Sequence, residues 1–184
     1  MKSRIVNLFA GPGTGKSTTA AALFAELKYR GVNCEYVQEY AKDATWEKRG
    51  HKLFRAQEYI FGKQHFRISR TADEVDVIIT DSPVLMGLVY VTPDYLPSLK
   101  HTIREAFDQY DNLNVFLKRA PFDVKKYNPK GRNQSAEEAL VKDGEILKLL
   151  NDSGVEFIEL EFNRTCPEQI IELMIKRGWD VPTA

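Results

Sequence analysis

The stretch RIVNLFAGPGTGKST, Arg4 to Thr18, decides how this chain reads. Arg4 to Ala10 is a short apolar run, the mark of a buried strand, and it stops at a glycine-rich turn. From Ser17 to Tyr29 the apolar residues Ala20, Ala21, Leu23, Phe24 and Leu27 fall near helical spacing, with Gly31 as a stop signal. Between strand and helix lies the pattern G-x-x-x-x-G-K-[ST], met at Gly15, Lys16 and Ser17, with Ala10 where the first glycine would stand. Gly11, Gly13 and Gly15 let backbone N–H groups turn inward around an anion. The helix that follows aims its N-terminus at the same anion. Gly11, Pro12, Gly13, Thr14, Gly15, Lys16, Ser17 and Thr18 are therefore expected to cradle nucleotide phosphates. Lys16 would reach the β- and γ-phosphates, and the Ser17 hydroxyl would ligate Mg²⁺.

Outward from that turn, strand and helix patterns alternate. Strands are expected at Cys34–Gln38, Val75–Thr80, Leu113–Leu117 and Val155–Leu160, and helices at Leu53–Ala72, Leu99–Tyr110, Ala136–Asn151 and Pro167–Arg177. Such alternation predicts an α/β three-layer sandwich, with a five-stranded, mostly parallel sheet covered by helices on both faces. Ligands of such sheets bind beyond the carboxyl ends of the strands. The chain has 184 residues and 43% apolar content, which suits one domain over 1–184. Lys plus Arg (26) balances Asp plus Glu (26), so no global basic field favours nucleic acid. Cys34 and Cys166 stand far apart in no metal-binding spacing, and no apolar run is long enough to span a bilayer. A reduced, cytoplasmic setting without a membrane partner is the expectation.

Two acidic residues follow strand ends. Asp81 closes VDVIITD, where a carboxylate can hold Mg²⁺ directly or through water; capping a following helix is its other use. Glu39 follows the second strand in VQEYAKD and is placed to take a proton from an acceptor hydroxyl. A solvated loop position or a pairing with Lys42 is the alternative, and Asp43 is a second candidate for base. After the fourth strand come Lys118, Arg119, Lys125, Lys126, Lys130 and Arg132 in a polar segment with proline and glycine. Mobile cations there, about residues 119–135, would form a lid that stabilises charge on a moving phosphoryl group. Arg132 and Arg119 are the favoured members, since guanidinium binds phosphate bidentately. For the acceptor, Tyr40, Gln57, Arg67, Arg119 and Lys130 are the candidates; Gln57 and Gln64 share a helical face that could read a nucleobase or sugar or simply be a polar outer face. Trp46, Phe54 and Tyr59 could stack on a base or simply fill the core.

On AGPGTGKST, VQEYAKD, VIITDSP and FLKRAPFDVKKYNPKGRNQSAEEA, the chain resembles the small P-loop kinases. It is most similar to phage-encoded AAA-type ATPases related to nicotinamide-riboside kinase, and more distantly to deoxynucleoside and thymidylate kinases. The resemblance implies a nucleoside- or nucleotide-kinase fold with Mg-ATP as donor. It implies catalytic roles for Lys16, Glu39, Asp81 and Arg132, with Lys130 and Gln134 assisting. Asp81 stands where deoxynucleoside kinases carry an Asp-Arg-Ser motif, but Ser82 replaces the arginine.

The function expected is transfer of the γ-phosphoryl group of ATP to a hydroxyl of a nucleoside, nucleotide or related acceptor, by a monomer or homodimer. A modified base or an end in DNA is the alternative acceptor, not the favoured one. A nucleotide-hydrolysing switch or binding module is the alternative class. A guanine-specific switch would usually carry Asn-Lys-x-Asp, and Asn128-Pro129-Lys130 does not supply it.

Overall fold

The computed structural model describes residues 2–48, 53–120 and 135–182. The chain runs β1 (Arg4–Phe9), α1 (Lys16–Tyr29), β2 (Cys34–Val37), α2 (Tyr40–Trp46), α3 (Gln57–Ser69), β3 (Val77–Thr80), a 3₁₀ turn (Val84–Val89), α4 (Pro97–Asp108), β4 (Asp111–Lys118), α5 (Ala136–Asp152), β5 (Ile158–Glu161) and α6 (Cys166–Lys176).

The five strands form one sheet in the order β2-β3-β1-β4-β5, and all four pairings are parallel. Central strand β1 explains why its sequence is apolar without alternation: both of its faces are covered. Val6, Leu8 and Ala10 join a core with Leu23 and Leu27 of α1 and Ile170 and Met174 of α6. Ile5 and Phe9 face the other way, onto Ile68 of α3, Leu85 of the 3₁₀ turn, Phe107 of α4 and Ile146 of α5. Asn7 breaks the apolar run, yet it is satisfied. Its side-chain amide donates to Asn112 Oδ1 at 2.8 Å and Asn114 Oδ1 at 3.0 Å on the register neighbour β4. Asn114 in turn donates to the Glu156 carbonyl at 2.9 Å. This buried polar ladder pins β1, β4 and the approach to β5 at little net cost, because its donors find acceptors.

The expected elements form, with shifted bounds. Helix α1 stops at the predicted glycine: Gly31 has φ +78°, and the Gly31 and Val32 amides donate back to Lys28 and Leu27. The helix expected over 53–72 is shorter, Gln57–Ser69, because Ala56 takes a non-helical backbone (φ −106°, ψ 77°). Strand β5 starts at Ile158, three residues later than expected, where its register with Val115 begins. Helix α2 and the 3₁₀ turn are too short to have left a periodic trace in the sequence. Cys34 and Cys166 are buried free thiols. No helix among the described residues is long and apolar enough to cross a membrane.

Candidate active site

The strand order sets the carboxyl ends of β2, β3 and β1 side by side, and the chemistry-bearing residues follow those ends directly. The glycine loop follows β1, Asp81 follows β3, and Glu39 lies two residues beyond β2.

Two glycines of the loop hold backbone that other residues resist. Gly13 has φ +78° and Gly15 has φ +116°. At Gly15 space is closed as well: a Cβ would lie 2.2 Å from the ring of Phe162, which follows β5. Gly11 faces α5, where a Cβ would meet Asp143 Oδ1 at 2.5 Å and the Ala139 carbonyl at 2.6 Å. Gly15 caps α1 without any side chain, so no side chain occupies the helix's first amides. Lys16 Nζ folds onto the loop itself, donating to the Ala10 carbonyl at 2.7 Å and the Gly11 carbonyl at 3.1 Å. Burial pushes the Lys16 pKa down, and the carboxylates of Glu39, Asp81 and Asp143 pull it back up.

Asp81 is buried and collects three donors. The Ser17 hydroxyl donates to Oδ2 at 2.5 Å, the Tyr36 hydroxyl to the same oxygen at 2.8 Å, and the Glu39 amide to Oδ1 at 3.2 Å. Burial, then the charge of Asp81, drives the Tyr36 pKa far up, so Tyr36 stays a neutral donor. The Ser17 hydroxyl and the Asp81 carboxylate are adjacent hard oxygen donors, the type Mg²⁺ selects when phosphate and water complete its shell. Glu39 caps α2 by position, with no side-chain capping bond. Burial lifts its carboxyl above the ordinary glutamate range; Lys16 opposes the rise, Asp81 adds to it, and Lys42 opposes it in turn.

Lys16, Ser17, Glu39 and Lys42 line a cavity of about 600 Å³ together with Trp46, Phe54, Gln57, Phe61, Gln64 and Tyr90. The structure thus brings Lys16, Ser17, Glu39, Asp81 and Gln57 to one place. It sets others apart. Arg67 is ion-paired with Asp43, donates to the Gln38 carbonyl at 3.2 Å, and lies over the Tyr40 ring at 5.2 Å. Both Arg67 and Asp43 line a different hollow beside β2. Tyr40 is buried behind the cavity, its amide donating to Gln64 Oε1 at 2.8 Å. Arg119 turns inward: Nε donates to Asp143 Oδ2 at 2.7 Å, and Nη2 to the Pro12 carbonyl at 2.9 Å. Arg132 and Lys130, with most of the expected lid, lie outside the described residues.

Three site residues carried no sequence signal. Tyr36 sits inside a strand, Asp143 inside a helix, and Phe162 beyond a strand end, with no motif to mark them. A fourth feature was legible: Ser135-x-x-Glu138 forms a capping box at the start of α5, with Ser135 Oγ accepting from the Glu138 amide and Glu138 from the Ser135 amide.

A glycine loop between the first strand and first helix, on a parallel sheet ordered 2-3-1-4-5 with an acid at the neighbouring strand end, defines a P-loop NTPase fold of the kinase type. A family model described as AAA domain matches residues 5–166, and the chain belongs to that family. No curated protein matches the sequence. Among solved structures, the NadR protein in complex with NAD and AMP-PNP superposes with a TM-score of 0.73 at 14% identity, over 99% of this chain and 51% of that one. NadR in complex with NR gives 0.71 at 15% identity, over 99% and 53%. The chain therefore spans about half the length of NadR. The YorR protein from Bacillus subtilis, in complex with phosphorylated GDP, gives 0.53 at 21% identity over 95% of each chain.

Proposed function

We propose that the chain is an ATP-dependent phosphotransferase that moves the γ-phosphoryl group of ATP to a hydroxyl of a nucleoside, nucleotide or related acceptor. One observation carries the reading: the glycine loop, Ser17 and the buried-side carboxyl of Glu39 share a single cavity with aromatic walls. The solved NadR and YorR structures, which hold nucleotide-type ligands on the same fold, support an acceptor of that class.

In this mechanism the loop amides and the N-terminus of α1 hold the β- and γ-phosphate oxygens. Lys16 exchanges the carbonyls of Ala10 and Gly11 for phosphate oxygens, which are stronger acceptors of a charged donor. Ser17 and Asp81 would hold Mg²⁺, which when bound neutralises charge on those oxygens. Glu39 takes the proton of the acceptor hydroxyl. A bond forms from that oxygen to the γ-phosphorus, the bond from phosphorus to the β–γ bridging oxygen breaks, and ADP leaves. The raised pKa makes ionised Glu39 a stronger base than an exposed glutamate. Arg132 is the proposed lid cation, with Lys130 beside it. Arg119 serves from behind, bracing the loop through Pro12 and Asp143.

The test is phosphate transfer from γ-labelled ATP to nucleosides, nucleoside monophosphates, nicotinamide riboside and hydroxymethyluracil-containing DNA. Label on a small-molecule acceptor is the expected result. Label released only as free phosphate across the panel would replace the kinase with a hydrolysing switch.

A further inference from the structure

Of the donors to Asp81 among the described residues, Tyr36 alone belongs to no motif. Its place follows from strand register. In the parallel pairing of β2 with β3, Tyr36 stands opposite Ile79, two residues short of Asp81. A phenol is long enough to cover that step, and the Tyr36 hydroxyl donates to Asp81 Oδ2 at 2.8 Å. The ring itself packs against the core that holds Ala20 and Leu23 of α1, so the hydroxyl is presented from a fixed support. The Ser17 hydroxyl, in the first turn of α1, donates to the same Oδ2 at 2.5 Å. A carboxylate oxygen offers two lone pairs, and these two hydroxyls fill those of Oδ2. Oδ1 is held more loosely, by the Glu39 amide at 3.2 Å. The arrangement is closed to solvent, with Asp81 only 3% exposed. The two hydroxyls differ in what they have left to do. Ser17, having given its proton to Asp81, keeps the lone pairs of its own oxygen for a cation. Tyr36 has no placement in the glycine loop, and its bond acts on the carboxylate.

We propose that Tyr36 is a positioning residue for the divalent cation. Its hydroxyl locks the Asp81 carboxylate in the orientation that takes the Ser17 proton, and so keeps the Ser17 oxygen available to the metal. Tyr36 acts through Asp81 and not on the metal or the nucleotide. Without its hydroxyl, a buried carboxylate oxygen loses one of two donors, and the side chain is left to Ser17 and the longer amide bond. Hydrogen-bond partners that orient a metal-binding group typically set metal affinity by about 10–100-fold. The inference rests on the metal role proposed for Ser17 and Asp81, and its test is arranged so that the two can fail separately.

Tyr36→Phe removes the hydroxyl and keeps the ring. It is compared with wild type, Asp81→Asn and the double variant. Calorimetry measures the affinity for a non-hydrolysable ATP analogue in EDTA, and electron paramagnetic resonance measures Mn²⁺ binding to the protein–analogue complex. In Tyr36→Phe the Mn²⁺ affinity should fall about tenfold or more, while analogue affinity in EDTA stays within about twofold of wild type. A merely structural defect would lower both. The double variant should bind Mn²⁺ no more weakly than Asp81→Asn, because Tyr36 acts through that carboxylate. Three results overturn the role of Tyr36: Mn²⁺ affinity within about twofold of wild type in Tyr36→Phe, an equal loss of analogue affinity in EDTA, or losses that add in the double variant. Wild-type Mn²⁺ affinity in Asp81→Asn would instead remove the metal reading of Asp81, and the inference with it. If Tyr36→Phe does not fold, 3-fluorotyrosine introduced at position 36 keeps the hydroxyl and carries the test by fluorine NMR. Its resonance should shift when Mg²⁺ is added to the analogue complex and stay fixed in the Asp81→Asn background; no shift in the otherwise wild-type protein overturns the assignment.

Discussion

Asp143 offers the sharpest measurement of how this site is held. It sits in α5, yet it grips the glycine loop: its Oδ1 accepts the Gly11 amide at 2.6 Å, and its carboxylate takes Arg119 Nε at 2.7 Å and Nη2 at 3.3 Å. The pair is well buried, with side-chain exposures of 8% for Arg119 and 18% for Asp143. Asp143→Ala therefore removes these three hydrogen bonds and a long fourth from the Thr14 hydroxyl at 3.5 Å, and takes the Asp143 carboxylate away from a largely desolvated guanidinium. Breaking a buried pair from one side typically costs about 3–5 kcal/mol. Arg119 keeps its bond to the Pro12 carbonyl, and Asp143 is not fully buried, so the cost falls at or just below the bottom of that range, about 2–3 kcal/mol. For a chain of this size that is a fall in Tm of roughly 4–12 °C. Arg119→Met alone should cost a similar amount, and the double variant little more than either, because the two act as one unit. Calorimetric melting of the four proteins provides the assay, with ATP titration alongside to show weakened nucleotide binding in each variant. A loss of less than about 1 kcal/mol in Asp143→Ala, or strict additivity of the two substitutions, would refute the brace.

The other predictions concern the reaction and the loop. Glu39→Gln should keep ATP affinity and lose at least about a hundredfold in transfer, the scale of general-base catalysis; near-normal turnover would remove Glu39 from the mechanism. Because burial raises the folded-state pKa of Glu39, the folded protein holds its proton more tightly than the unfolded chain does. The group's contribution to stability is thus present below its unfolded pKa and is lost as pH rises through the folded value. Glu39→Gln should accordingly melt alongside wild type at about pH 4 and gain on it toward pH 8, measured as paired melting curves; a constant gap across that range would contradict the raised pKa. Gly15→Ala places a methyl group against Phe162 at φ +116° and should destabilise by at least about 2 kcal/mol, read by urea unfolding; wild-type stability would mean the loop relaxes. Arg132→Ala should lower kcat by on the order of a hundredfold with ATP affinity little changed, and an unchanged rate would reduce that residue to solvated surface.

Much of the fold was legible because both signals were local. The apolar run Ile5–Phe9 needs no tertiary knowledge to read as a doubly covered strand, and Gly15-Lys16-Ser17 announces its own turn and helix. Glu39 and Asp81 were legible by position, since each follows a strand end, and their approach to the loop needed only the parallel sheet. Arg119 shows where that reasoning stops. Its place after β4 suggested a phosphate or acceptor contact, but its actual partner, Asp143, is 24 residues away on the far side of an intervening segment. Nothing in a helix of mixed polarity marks one aspartate as facing inward. Gln57 and Gln64 make the same point at shorter range. Spacing put them on one face, and only hydrogen-bond partners separate the Gln57 amide nitrogen, which is spent, from that of Gln64, which is buried with no partner among the described residues.

All five strand ends converge on the loop, and this gives the site a mechanical logic beyond its chemistry. β1 runs into the loop, β2 supplies Glu39, β3 supplies Asp81, β4 supplies Arg119, and β5 supplies the Phe162 ring packed on Gly15. These five are anchored at strand ends of the sheet. Asp143 differs, since it belongs to α5, the element that follows residues 121–134. Those residues, which carry Lys130 and Arg132, are thus bounded by Arg119 on one side and by the Asp143 helix on the other, and the two bounds are bonded to each other and to the loop. Asp143 ties α5 to the Gly11 amide of the loop. The brace joins α5, Arg119 and the loop through a single carboxylate, which is why its removal should be felt both in melting and in nucleotide affinity.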